Sequence, residues 1–420
     1  MSDEFGKYSN KAVVDFQIRN QLITKLKNRF STYNYQQVRT STFEDYDMYS
    51  TITKTVNKDE MIKVIDSTGK VLVLRPDGTI PITRMTALNT EINNKEQRLF
   101  YVLDVFRHSD EDSTEKESTQ AGVELFGNKT PESDAEVITL AIHTLKDIGF
   151  RNFKIEIGHA GFFKELLEQA DLNPNELQTL QEFIQSKNLV EMEPFLENLQ
   201  ISPELQQDFL SIPLLYGNPR EVLKQTETII RNDKMQDILD NLMHVIDVLE
   251  DYGMDDFITL NLGLINDMYY YTDIIFQGFV GNIGKPVLMG GRYDHLGEQF
   301  GKEMAAIGFA YEVDFLLAAM QQHQLTERVK ETTPIQVTYE TQKRRGALET
   351  AQTLRDKGFV VITSPINSKS KQVEISFTEN KNSVKVNGKE QAFYTIEELI
   401  ALLPKEVEVP ISGDINNRPS

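Results

Sequence analysis

The chain has 420 residues, 40% hydrophobic and 26% charged, which points to two or three domains rather than one small core. It contains no cysteine, which excludes disulfides, thiolate nucleophiles and cysteine-held zinc and fits a reducing, cytoplasmic setting. A formal net charge of −20 with no Lys/Arg-rich stretch makes nucleic acid a poor partner, since that affinity rests on neutralising phosphates.

Residues 11–33 place Val14, Ile18, Leu22 and Leu26 at helical spacing, after a start, MSDEFGKYSN, that lacks the pattern of a signal peptide. YQQVRTSTFE then alternates as a strand, and MIKVIDSTGKVLVLRPD reads as a hairpin around Ser-Thr-Gly-Lys. RLFYVLDVFRHSD and QAGVELFG are two more strands, joined by a polar loop. SDAEVITLAIHTLKDIGF reads as a helix capped by Ser133 or Asp134, and FKIEIGH as a strand. From about 161 to 252 the pattern is almost wholly helical, which suggests an inserted helical subdomain. Strand character returns in FITLNLGL, in YYYTDIIFQGFV and in KPVLMGGRYD, and AAIGFAYEVDFLLAAMQQH reads as a helix. No apolar run approaches the eighteen or more residues of a membrane span.

After a polar linker, residues 334–405 form a small β-α-β-β-β-α unit, and 406–420 read as a disordered tail. Strands come in consecutive runs rather than in strict βαβ alternation, so the expected class is α+β with an antiparallel sheet core. That core would occupy residues 1–325, with the helical insertion inside it and the small C-terminal α/β domain after it.

Several motifs carry chemistry. VLRPDGT ends a strand in a turn that delivers Asp77 and Thr79. VFRHS puts Arg107 at the end of an apolar strand, where a guanidinium pairs with a core carboxylate or reads a ligand carboxylate or phosphate. QAGVELFG alternates Gln120, Gly122 and Glu124 on one face, a polar face that implies a lined cavity. GGRYDHL needs its glycines for close backbone approach, with Tyr293 just beyond them. GFVGNIGKP fails as a phosphate loop, since five residues rather than four separate Gly278 from Gly284 and Pro286 stands where Ser or Thr is required, and is better read as a hairpin turn. The six histidines are scattered with no HExxH-like pair, so neither a metal nor another cofactor is expected.

Taken in order, Arg39-Thr40, LRPDGT, FRHS, TQAGVELFG, YYYTDIIF, GGRYD and AAIGFAYEVDFL resemble histidyl-tRNA synthetase over roughly residues 10–320. The resemblance implies a class II aminoacyl-tRNA synthetase-like fold, with the tail domain a reduced anticodon-binding domain. It also implies a histidine pocket built from Asp77, Thr79, Arg107, Gln120, Glu124, Tyr270, Tyr271 and Tyr293. Asp77 and Gln120 would take the α-amino end, Arg107 the carboxylate, and Glu124 with the tyrosines the imidazole.

The departures from the family pattern are equally informative. The family motif Arg-Gly-Leu-Asp-Tyr-Tyr-Thr aligns with residues 266–272, which puts Asn266 on its catalytic arginine. EVDFL puts Phe315 on the triphosphate-binding arginine, and the loop beside the site reads DEDSTEKE. Losing one transition-state donor costs roughly 2.7–4 kcal/mol, so two losses beside an acidic loop should abolish adenylation. A histidine pocket without chemistry resembles the regulatory-subunit family of ATP phosphoribosyltransferase, which implies a short catalytic subunit as partner, L-histidine as effector, and a dimer through the region near Tyr35–Glu44. A divergent histidyl-tRNA synthetase is the alternative; it predicts histidine-dependent ATP–pyrophosphate exchange.

Overall fold

Long β-rich runs bounded by turn residues give the molecule its frame, and helices bury one side of it. The computed structural model describes residues 2–51, 58–89, 95–108, 116–265, 270–281, 283–326, 334–366 and 373–404. Asn266, most of the acidic loop after His108 and the tail 406–420 lie outside the described residues. The chain divides into two units, Met1–Glu327 and Arg328–Ser420.

In the larger unit the elements begin with α1 (Ser2–Thr32), β1 (Gln36–Gln37), β2 (Phe43–Asp45), α2 (Tyr46–Thr51), β3 (Lys63–Ile65), β4 (Val71–Leu74) and α3 (Thr79–Leu88). They continue with β5 (Gln97–Phe106), β6 (Glu117–Phe126), α4 (Pro131–Ile148), β7 (Phe153–His159), α5 (Ala160–Leu167), α6 (Pro174–Ser186), α7 (Leu189–Glu197) and α8 (Pro203–Ser211). The unit closes with β8 (Tyr216–Gly217), α9 (Pro219–Thr226), α10 (Asp233–Asp251), β9 (Ile258–Asn261), β10 (Ile274–Val280), β11 (Leu288–Arg292), β12 (Ala306–Glu312) and α11 (Val313–Gln322).

Nine strands form one sheet in the order β1-β5-β6-β12-β11-β10-β7-β9-β8. Its centre is antiparallel, while β1 pairs parallel with β5 and β7 with β9. Alternation divides the residues of the central strands between two faces. Ala121, Val123, Leu125, Ile307, Phe309 and Tyr311 join a core shared with α1, α4 and α10. Tyr101, Leu99, Leu103 and Tyr293 belong to a second cluster with Val73, Ile80 and Ile82 from β4 and α3. The candidate site opens on that second face.

The structure corrects five local expectations. YQQVRTSTFE is two short strands in two different sheets, because β1 joins the large sheet while β2 pairs with β4. Helix α4 is capped by extended Thr130, whose hydroxyl accepts from the Ser133 amide, with Pro131 in the first turn; Ser133 and Asp134 are already helical. Residues 306–312 are strand β12, and only Val313–Gln322 is helix, since the two-residue alternation of Ile307, Phe309 and Tyr311 wins over the helical spacing. The tyrosines Tyr270 and Tyr271 precede β10 rather than lying in it. The helical stretch also contributes a two-residue strand, β8, and its buried Leu180, Phe209, Leu239 and Leu242 share the core of the main sheet.

The smaller unit contains β13 (Ile335–Tyr339), α12 (Arg344–Asp356), β14 (Val361–Pro365), β15 (Val373–Phe377), β16 (Asn382–Val386), β17 (Lys389–Ala392) and α13 (Ile396–Leu402). Its sheet has the order β14-β13-β15-β16-β17, one strand more than the sequence pattern suggested. The extra strand pairs with β16 across a turn with positive φ at Asn387 and Gly388. Ala347, Ala351 and Leu354 of α12 lie in the core of this unit with Ile335, Val337 and Ile375. No described helix is long and apolar enough to cross a membrane.

Candidate ligand-binding site

The site is built on the hairpin β5–β6 and on β12, with the turn before α3 closing one side. Register sets Tyr101 opposite Gly122, Leu103 opposite Gln120 and Leu99 opposite Glu124; on the other edge of β6, Glu312 faces Gln120 and Gly308 faces Glu124. A cavity of about 800 Å³ lies over this face. All eight residues implied by the resemblance, Asp77, Thr79, Arg107, Gln120, Glu124, Tyr270, Tyr271 and Tyr293, line it.

Glu124 is its centre. The residue is 1% exposed, and its carboxylate accepts from the Thr79 hydroxyl at 2.7 Å and from the Tyr293 hydroxyl. Burial pushes its pKa up to about 8; the bonds from Tyr293 and Thr79 pull the other way, and the charge of Asp77 adds to the rise. Gly308 makes this possible, because a side chain there would collide with the Glu124 carboxylate and with the Val123 carbonyl. Tyr293 stacks on Tyr270 at 5.4 Å between ring centroids, and Tyr271 meets Tyr270 edge-on at 4.8 Å. The result is a carboxylate at the foot of an aromatic wall, a setting for a flat ring carrying N–H donors.

The turn Arg75–Thr79 supplies the opposite wall. Arg75 is buried and donates to the carbonyls of Thr40, Ser41 and Asp104, which fixes the turn against the sheet. Asp77 accepts from the Ile80 amide through Oδ1 at 2.8 Å, at the first turn of α3. Its Oδ2 is buried and has no hydrogen-bond partner, and burial raises its pKa. Arg107 donates through Nε to the Pro76 carbonyl at 2.6 Å and is otherwise exposed toward the cavity.

Away from Glu124 the lining changes. It includes Glu60, Ser118, Lys285, Pro286, Met289, Glu312, Asp314 and Phe315, whose ring is 40% exposed. Asp314 is held by Arg19 of α1 at 2.5 Å. Gln120 donates through Nε2 to Glu312 at 2.7 Å. Among the described residues no group of three acidic, histidine or cysteine side chains could hold a metal ion.

Sequence reasoning missed Tyr101 and Glu312. Tyr101 is 1% exposed, and a side chain on either Gly78 or Gly122 would strike its ring. A glycine inside a strand marks such an approach, so Gly122 was the available signal. Glu312 had none, because it lies in a stretch read as helix.

Known proteins bear on this geometry. The histidyl-tRNA synthetase family profile matches residues 14–316. The chain is 48% identical over 360 residues to a protein of Oceanobacillus iheyensis named ATP phosphoribosyltransferase regulatory subunit, covering 85% of this chain and 87% of the relative. A protein of the same name from Ruminiclostridium cellulolyticum is 34% identical over 346 residues, 82% of each chain. A solved structure from Bacillus halodurans C, described as an ATP phosphoribosyltransferase regulatory subunit/histidyl-tRNA synthetase, superposes with a TM-score of 0.76 at 27% identity, covering 86% of this chain and 94% of that one. The histidyl-tRNA synthetase of Nostoc sp. PCC 7120, at 16% identity, shares the fold with a TM-score of 0.73 over 93% of this chain and 96% of its own.

Proposed function

Because this chain belongs to the family of ATP phosphoribosyltransferase regulatory subunits, built on a histidyl-tRNA synthetase domain, we propose that it binds L-histidine in this cavity without activating it. Assembled with a short catalytic subunit, it confers activity and feedback inhibition by histidine on the first step of histidine biosynthesis. The observation that carries the reading is the buried Glu124, held by Thr79 and Tyr293 beneath the tyrosine stack. Its carboxyl group can pair with an imidazole nitrogen, while Arg107 lies within reach of a ligand carboxylate. The outer lining supports the absence of adenylation, since Phe315 offers a polyphosphate no charge and the acids Glu60, Glu312 and Asp314 outnumber Lys285 there.

Feedback requires histidine to favour one state of the complex, since a ligand shifts an equilibrium only by its differential affinity. A dimer near Tyr35–Glu44 and a reduced anticodon-binding role for the smaller unit belong to the same reading. Calorimetric titration with L-histidine tests the pocket, and ATP–pyrophosphate exchange tests the missing chemistry. The wild-type chain binds histidine, Glu124→Ala weakens binding by roughly tenfold or more, and neither supports exchange. Histidine-dependent exchange, or unchanged affinity in Glu124→Ala, would contradict the proposal.

A further inference from the structure

The acids lining this cavity outnumber what an imidazole needs. Asp77, Glu124 and Glu312 line the same cavity as Tyr101, whose pKa is raised by burial first and then by the charge of Glu124, with a bond to Thr79 pulling the other way and Asp77 and Glu312 adding to the rise. Glu124 is held by Thr79 and Tyr293 and is assigned to the imidazole. Asp77 and Glu312 are each half-satisfied. Asp77 Oδ1 holds the Ile80 amide while Oδ2 is buried without a partner. Glu312 Oε1 holds Gln120 Nε2 at 2.7 Å, and its second oxygen has no hydrogen bond among the described residues. Backbone pairing fixes this second arrangement, because Glu312 and Gln120 are register partners across β12 and β6.

An ionised carboxylate can only accept, so its bond to Gln120 turns the amide nitrogen toward Glu312 and leaves the amide oxygen as an acceptor. Three acceptors therefore remain on three cavity-lining residues: Asp77 Oδ2, Glu312 Oε2 and Gln120 Oε1. Three acceptors, two of them carboxyl oxygens, match the three N–H donors of one primary ammonium. A buried carboxyl oxygen without a partner, as at Asp77 Oδ2, is costly, which makes a cation its natural complement.

We propose that Glu312 is a ligand-binding residue, seating the α-ammonium of the amino-acid ligand together with Asp77 and Gln120 and so restricting the cavity to ligands with a free ammonium group. The inference rests on reading this cavity as a histidine site. A ligand lacking the ammonium leaves the three acceptors unmet and brings its own carboxylate toward them. Glu312 thus sets specificity at the end of the ligand opposite Glu124.

The test is a ligand-and-mutant cycle on the full-length chain, with L-histidine and 3-(imidazol-4-yl)propionate as probes. Glu312→Gln keeps the size of the side chain. It weakens L-histidine by roughly tenfold or more, the usual worth of a charge-assisted hydrogen bond. It leaves the desamino probe unchanged or binding more tightly, which also reports an intact pocket. Equal loss for both probes would assign Glu312 a structural role and overturn the inference, as would unchanged histidine affinity. If Glu312→Gln fails to fold by thermal melting, Glu312→Asp, which withdraws the charge by one methylene, gives the same comparison. Absence of histidine binding to the wild type would instead remove the histidine reading, and the inference with it.

Discussion

At the scale of single residues, the account turns on carboxylates taken out of water. The Glu124 pKa rises from 4.5 to about 8, chiefly through burial. The folded state therefore holds a proton that the unfolded chain releases. The contribution is fully present below about pH 4.5 and is lost as pH rises toward about 8. Asp77 and Glu312 are raised by burial too and act in the same direction. Melting temperatures between pH 5 and 9 should fall less steeply in Glu124→Gln than in the wild type. A slope unchanged by that substitution would place the titration elsewhere.

Residues are also where the sequence was most informative and most incomplete. Asp77, Gln120, Glu124 and Tyr293 were legible because each sits in a short motif with a glycine or a polar alternation beside it. Glu312 was not, because its meaning comes from a cross-strand partner 192 positions away. Thr130 was passed over as a cap because Ser133 and Asp134 resemble caps equally well; Pro131, favoured in a first turn, was the cue that separates them.

At the scale of elements, the pocket exists because two strands present small residues where a ligand face is needed. Gly308 on β12 lies against Glu124 of β6, and Gly122 on β6 leaves room for the Tyr101 ring. Gly308→Ala drives a methyl group into the Glu124 carboxylate and the Val123 carbonyl, so the strand must shift or the carboxylate must leave its partners. The expected outcome is destabilisation of roughly 1–3 kcal/mol by denaturant titration, with loss of histidine binding. Full retention of both would show that the approach is not needed. The same strand explains the largest misreading of the sequence. Ala306–Glu312 and Val313–Gln322 are both apolar, and short apolar runs fit either period until pairing partners are known.

At the scale of the whole molecule, a synthetase-like scaffold carries a cavity whose outer wall is acidic. Consecutive strand runs gave the α+β class correctly, since antiparallel neighbours need only short connections. The parallel additions at the ends, β1 on β5 and β9 on β7, were not legible, because their pairing is set by packing across long stretches of chain. On the proposed reading this cavity acts through a partner subunit. Its central claim is tested by phosphoribosyl-ATP formation by a short catalytic subunit from the same organism, with and without this chain, across a histidine titration. The account predicts activity that appears only on mixing and falls as histidine rises. A rate indifferent to this chain at every histidine concentration would contradict it.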